Sequence, residues 1–262
     1  AFPDLLYVEQ ESLTAELLLA YHLNSPTVIY SLLFDKRAEY FIYKYFEGIM
    51  GAFSRPEKWG TYLFWGVHKD KNARVHLWKE GKYLVSDDGI FQLELSPRAI
   101  RQALLDKQVI PSLMLIFIVI SFYYGLKCLG GPNQVNYLTL LKEAFINMCR
   151  EQGDSESVET CERVQTKEFV EGPTVAFLRG PQGQIAPATG LDLYLYHSGG
   201  EWDKIIELTK NITLDESFSP RLPDYYPIMY PEVERIPELS ALTSEQITEC
   251  NGLYKKIKPV NF

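Results

Sequence analysis

VIPSLMLIFIVISFYYGL, residues 109–126, is the most apolar stretch of this chain, and its reading decides the fold. At about 18 residues it reaches the lower limit for a membrane span. Pro111, Ser112, Ser121 and Gly125 interrupt it, and the chain has no second candidate. Arg98, Arg101 and Lys107 precede it and Lys127 follows, so no charge asymmetry sets an orientation. A helix apolar all round is also what a fully buried central helix looks like. The stretch is therefore expected to be the buried spine of a globular fold, with no membrane partner.

Upstream, the pattern divides in two. Residues 11–23 carry Leu13, Leu17, Leu18 and Tyr21 on one helix face. Ser25-Pro26 opens a second helix over 27–34, and a third over 39–46 ends before Gly48 and Gly51. From 61 to 95 the period shortens: TYLFWGV, ARVHLW, KYLVS and GIFQLEL are separated by polar and Gly-containing breaks. That is the signature of hairpins, and it predicts an antiparallel meander of three or four strands. His68 and His76 flank one of these turns and are expected to face each other across two strands. Ser96-Pro97 then starts a helix leading to the apolar stretch.

Downstream, Val135, Leu138, Leu141, Phe145 and Met148 recur at helical steps, which predicts a helix over 133–150. Residues 151–171 are polar and acidic and read as a surface excursion, leaving 1–262 as a single globular domain. Beyond it, 174–178 and 191–196 read as strands, with a turn at 180–183 between them, and 201–210 as a helix. Residues 217–237 hold five prolines and are expected to be extended. Thr243-Ser244-Glu245-Gln246 forms a capping box that opens a last helix, ending near Lys256. The expected class is α+β: a helical N-terminal part, an antiparallel β-meander, a buried apolar helix and a mixed helix–strand C-terminal section.

Composition narrows the functions. The net charge of −8 repels a phosphate backbone, and the short basic clusters at 69–74 and 255–258 form no stripe, so no nucleic acid is expected. Cys128, Cys149, Cys161 and Cys250 form no C-x-x-C pair. Two disulfides or four reduced thiols both fit the count, and reduced thiols in a cytoplasmic protein are the simpler expectation. The start at Ala1-Phe2-Pro3, without Met, also fits a removed leader. No phosphate loop, dinucleotide fingerprint, zinc-protease helix or serine elbow occurs, and the four histidines never stand at metal spacing. No metal is expected, and no cofactor or oligomeric state is specified.

The most site-like segment is Lys127-Cys128-Leu129-Gly130-Gly131-Pro132-Asn133-Gln134-Val135-Asn136-Tyr137-Leu138. Glycines permit close backbone approach, Pro132 suits a first helical turn, and the free amides of that turn attract anions. Lys127 adds a full charge, and Asn133, Gln134 and Tyr137 supply hydrogen-bonding groups. The run G-G-P-x-x-x-x-Y-L resembles the core motif of the bacillithiol cysteine-adding enzymes, ligases that join cysteine to a glucosaminyl-malate acceptor. Leu63-Phe64, the strand Arg74-Val75-His76-Leu77 and the opening Leu95-Ser96-Pro97 extend the likeness over residues 61–145 at most. The spacing from Pro111 to Gly130 is longer here than in that family, and its T-G-Q-Q-type segment and long coiled coil are absent. What the resemblance implies is a small-molecule pocket beside Gly130, Gly131, Pro132 and Tyr137. The functional expectation is an enzyme acting on an anionic or amino-acid-like metabolite, forming a C–N or C–S bond. A non-catalytic interaction protein, using the exposed aromatic and proline stretch at 218–230, is the rival.

Overall fold

The computed structural model describes residues 8–68, 74–168 and most of 176–256 apart from short gaps, together with Ala73, Thr174 and residues 260–261. The chain is α+β, and it divides into two compact units: residues 1–130 with 134–169, and residues 131–133 with 170–262.

The first unit opens with α1 (Gln10–Leu17), which widens into a π-helical turn over Leu18–His22. The Leu23 amide closes that turn on the Leu18 carbonyl at 3.0 Å. Thr27 caps α2 (Val28–Phe34) by accepting the Tyr30 amide, and α3 (Ala38–Phe46) follows. Ile29, Leu32, Ile42 and Phe46 of α2 and α3 are buried, but in the first helix only Leu18 of the expected face is. Leu13 and Leu17 are half-buried, Tyr21 is exposed, and the inward face is Thr14, Leu18 and His22, one turn apart.

The meander is present but broken in two. After a short antiparallel ribbon, β1 (Phe53–Ser54) with β2 (Trp59–Gly60), the chain forms β3 (Phe64–His68) and β4 (Ala73–Val75). It continues as β5 (Leu77–Glu80), β6 (Tyr83–Ser86) and β7 (Gln92–Glu94). β5, β6 and β7 form one antiparallel sheet, whereas β3 and β4 belong to another. The run ARVHLW thus serves both sheets, changing at His76, whose Nδ1 lies 2.5 Å from the Gly60 carbonyl oxygen. His68 sits opposite Ala73, not opposite His76, which instead stacks on Trp78 at 6.0 Å between ring centres. Thr61 ties the sheets together: its hydroxyl donates to the Phe64 carbonyl at 2.6 Å and accepts the Leu77 amide at 2.9 Å. Gly60 has φ +70°, and a Cβ there would lie 2.2 Å from the Ala52 carbonyl oxygen, so only glycine fits.

The decisive apolar stretch is not one helix. Ser96 caps α4 (Pro97–Leu105), and the chain then enters β8 (Val109–Pro111), antiparallel to β3 with Phe64 opposite Pro111. Ser112 caps α5 (Leu113–Ile116), which continues as π-helix over Phe117–Tyr123. A strand hid here because a fully buried strand and a buried helix are equally apolar. The burial itself is as expected: Met114 to Phe122 are all buried, each large side chain contributing roughly 1.5–3 kcal/mol. Helix α6 (Pro132–Gln152) brings Leu141, Phe145 and Met148 against this core. The polar stretch beyond it is not irregular: Asp154 caps a further helix, α7 (Ser155–Glu162), which buries Cys161. Among the described residues no helix is long and apolar enough to cross a membrane.

In the second unit β9 (Phe177–Arg179) pairs antiparallel with β10 (Ile185–Pro187) and parallel with β11 (Val260–Asn261). The turn expected at 180–183 falls outside the described residues. Leu191, Asp192 and Leu195 are helical rather than extended, with Thr189 accepting the Asp192 amide. The proline-rich segment is also helical: α8 (Leu214–Phe218), a 3-10 turn Ser219–Arg221, α9 (Leu222–Met229), a 3-10 turn Glu232–Glu234 and α10 (Pro237–Ser240). Pro220, Pro223 and Pro237 each occupy a first-turn position, where the missing amide costs nothing. Thr243 and Gln246 form the expected capping box on α11 (Ser244–Cys250), and Gly252, at φ +73°, precedes a 3-10 turn at Leu253–Lys255.

Candidate functional site

The Gly-Gly-Pro segment runs without regular structure from Leu126 to Gly131 into the start of α6 at Pro132. Lys127 is ion-paired with Glu168, which offsets its charge. A Cβ built on Gly130 would meet Gln134 Oε1 at 1.9 Å, so the Gln134 side chain folds back over the turn it was expected to leave open. Gly131 is exposed. The Oδ1 of Asn133 is buried and accepts no hydrogen bond among the described residues. The Tyr137 ring turns toward the core: it lies 6.0 Å from Phe117 between centres, and a Cβ on Gly51 would come within 3.0 Å of it. Burial, and then the nearby Cys128 thiol, hold the Tyr137 hydroxyl above its ordinary range. The structure thus turns Tyr137 into packing, Gln134 into a cover and Lys127 into an ion pair.

A more open arrangement lies elsewhere in the first unit. Two hollows, of about 450 and 310 Å³, share Pro26, Thr27, Val28 and Asp154 in their walls and so lie side by side as a two-part groove. These volumes are in the range of small-ligand sites. The larger hollow is walled by Phe122, Tyr123 and Phe145 and by Glu156, Ser157 and Thr160 along α7. The smaller adds Ser31, Asp35, Arg37 and Gln152. Arg37 and Glu156 are exposed and make no ion pair among the described residues; the Arg37 guanidinium lies 5.9 Å over the Phe41 ring, which leaves its donors open to a ligand. Asp154 spends one oxygen on the Ser157 amide, at 3.0 Å, as the cap of α7.

Behind the groove sits a buried histidine. His22 Nδ1 is 3.0 Å from the Thr27 hydroxyl and Nε2 is 3.0 Å from the Tyr124 hydroxyl. Its ring meets Tyr123 edge-on at 4.9 Å between centres. Thr27 also accepts the Tyr30 amide, and with the Tyr124 hydroxyl at the far nitrogen both ring nitrogens of His22 have a hydroxyl partner. Burial lowers the His22 pKa below 6.5, so the ring is neutral at neutral pH. Neutral His22 therefore fixes two residues, Thr27 and Tyr123, that face the groove.

The cap expected at Ser25 is instead Thr27, two residues later, and the sequence reading passes over Arg37, Tyr123, Asp154 and Glu156. The readable signal was Asp154-Ser155-Glu156-Ser157, a helix-start pattern within a stretch taken as irregular. All four cysteines are free thiols, and among the described residues no group of three or more His, Cys, Asp or Glu could hold a metal ion. No family model matches this chain, and comparison with curated proteins and with solved structures gives no match.

Proposed function

We propose that the first unit binds a small amino-acid-like metabolite in the groove that joins Arg37 to Glu156. One observation carries the reading: two hollows adjoin across Thr27 and Asp154, and between them their walls hold a guanidinium, carboxylates and an aromatic face. A zwitterion needs both signs of charge and an apolar surface for its side chain. Arg37 suits the carboxylate, since its planar fork matches that group. Glu156 and Asp154 suit the ammonium, and Tyr123 the side chain. The reaction class proposed for the bound amino acid, ligase-like formation of a C–N or C–S bond, rests on the resemblance of the Gly130–Leu138 run to the cysteine-adding enzymes.

The test is a thermal-shift screen of free amino acids beside analogues lacking either the amine or the carboxylate. A ligand at about 100 times its Kd adds about 2.7 kcal/mol, which raises Tm by several degrees. Zwitterions are expected to raise Tm and single-charge analogues to raise it less. Arg37→Ala and Glu156→Gln should each abolish the shift while leaving the ligand-free Tm unchanged. A flat response to every amino acid, or shifts that both variants retain, overturns the proposal.

A further inference from the structure

A second surface, independent of that groove, lies in the second unit. Helices α9, α10 and α11 enclose a hollow of about 320 Å³ whose lining includes Leu222, Tyr226, Met229, Tyr230, Leu239 and Leu242. The side chains are open to solvent to an unusual degree, Met229 by 67% and Leu222 by 52%. Val233 and Ile236, at 93% and 52%, extend the apolar surface along the connection between α9 and α10. Isolated exposed apolar residues need no account, but so dense a run within one short segment marks an interaction site.

The hollow is held in shape. Tyr226 accepts the Ile236 amide at 2.9 Å. Arg235 donates to the Tyr230 and Pro227 carbonyls at 2.8 and 2.9 Å, which fastens the 3-10 turn to the end of α9. Arg235 is thereby engaged, and Arg221 is paired with Asp224 at 3.0 Å. Glu232, Glu234, Glu238, Glu245 and Glu249, on the same elements, are exposed and make no ion pair among the described residues. The surface is apolar inside and acidic on the elements that frame it.

From this complementarity we infer that the surface docks a basic amphipathic helix of a partner protein. Aliphatic or aromatic anchors one helical turn apart would enter the hollow, and Lys or Arg beside them would meet the glutamates. Other occupants fit worse. A strand finds no ladder, because the walls are helices whose amides are already bonded. A second copy would set acid against acid in a chain of net charge −8. An anionic membrane is repelled by the same carboxylates.

The test uses the full chain and a fluorescently labelled amphipathic helix of Leu and Lys, about five turns long. Controls are a Leu/Glu peptide of the same pattern and a scrambled Leu/Lys peptide, all read by anisotropy. The Leu/Lys helix should bind saturably, and the other two should bind at least about tenfold more weakly. Met229→Asp should weaken it about tenfold; because Met229 is exposed, the far-ultraviolet spectrum should not change. The double change Glu234→Lys and Glu238→Lys should reverse the preference toward the Leu/Glu peptide. Equal binding of the scrambled peptide, retention of binding by both variants, or no saturable binding overturns the inference. So does concentration-dependent dimerisation that Met229→Asp abolishes, since the occupant would then be a second copy.

Discussion

Nε2 of His22 and the hydroxyl of Tyr124 stand 3.0 Å apart, joining the end of the first helical segment to the end of the buried one. The folded chain holds His22 neutral, its pKa pushed below 6.5 by burial, while the unfolded chain protonates it near that value. Between 6.5 and the lower folded value the unfolded state binds more protons, so stability falls as the pH drops through that window. Urea unfolding at a series of pH values from 7 to 5 should show the decline. His22→Gln removes the titrating group and should make the decline shallower.

Thr61 carries a second buried polar junction. Thr61→Val keeps the shape but leaves the buried Leu77 amide without its acceptor, at 2.9 Å in the native structure. A loss of about 1–3 kcal/mol is expected in denaturant unfolding. Thr61→Ser, which retains the hydroxyl, should lose less.

The four thiols should separate by reactivity. Cys149 and Cys161 are buried and their pKa values are pushed up to about 12, chiefly by desolvation. Cys250 is exposed, and Cys128 is half-buried with its sulfur 2.8 Å from the Ser121 hydroxyl. Timed alkylation with mass spectrometry should label Cys250 first and Cys128 next. Cys149 and Cys161 should react only after denaturation.

Lys127 and Arg37 distinguish the two candidate ligand sites. Lys127 is paired with Glu168 and does not line the groove, so Lys127→Ala should leave the amino-acid-induced Tm shift intact. Arg37→Ala should remove it. The reverse result would move the site to the Gly-Gly-Pro turn.

The meander was legible because its turns are written in local residues, such as Asp87-Asp88-Gly89 between β6 and β7. Its division at His76 was not, because it depends on Gly60 and Thr61, which belong to a different part of the chain. β8 was missed for the same reason: its partner β3 lies far upstream, and Pro111 reads as a break unless that pairing is known. Residues 217–237 were misread through a rule applied without position. Proline opens a helix when first, and Pro220, Pro223 and Pro237 are all near first; Pro227 stands inside α9, where it removes an amide from the helix without ending it. The Gly-Gly-Pro turn was rightly located as a helix start, but Gln134 covering Gly130 and Glu168 meeting Lys127 are tertiary outcomes. The groove is built from α2, the π-helical end of the buried segment and α7, so no local motif announces it.

Both π-helical turns, Leu18–His22 and Phe117–Tyr123, terminate where His22 meets Tyr123 and Tyr124. A π-turn accommodates a surplus residue that ordinary winding would not. The histidine and its two tyrosines therefore pin the ends of the two widest stretches of helix to each other, so that neither wide turn can tighten without disturbing the other.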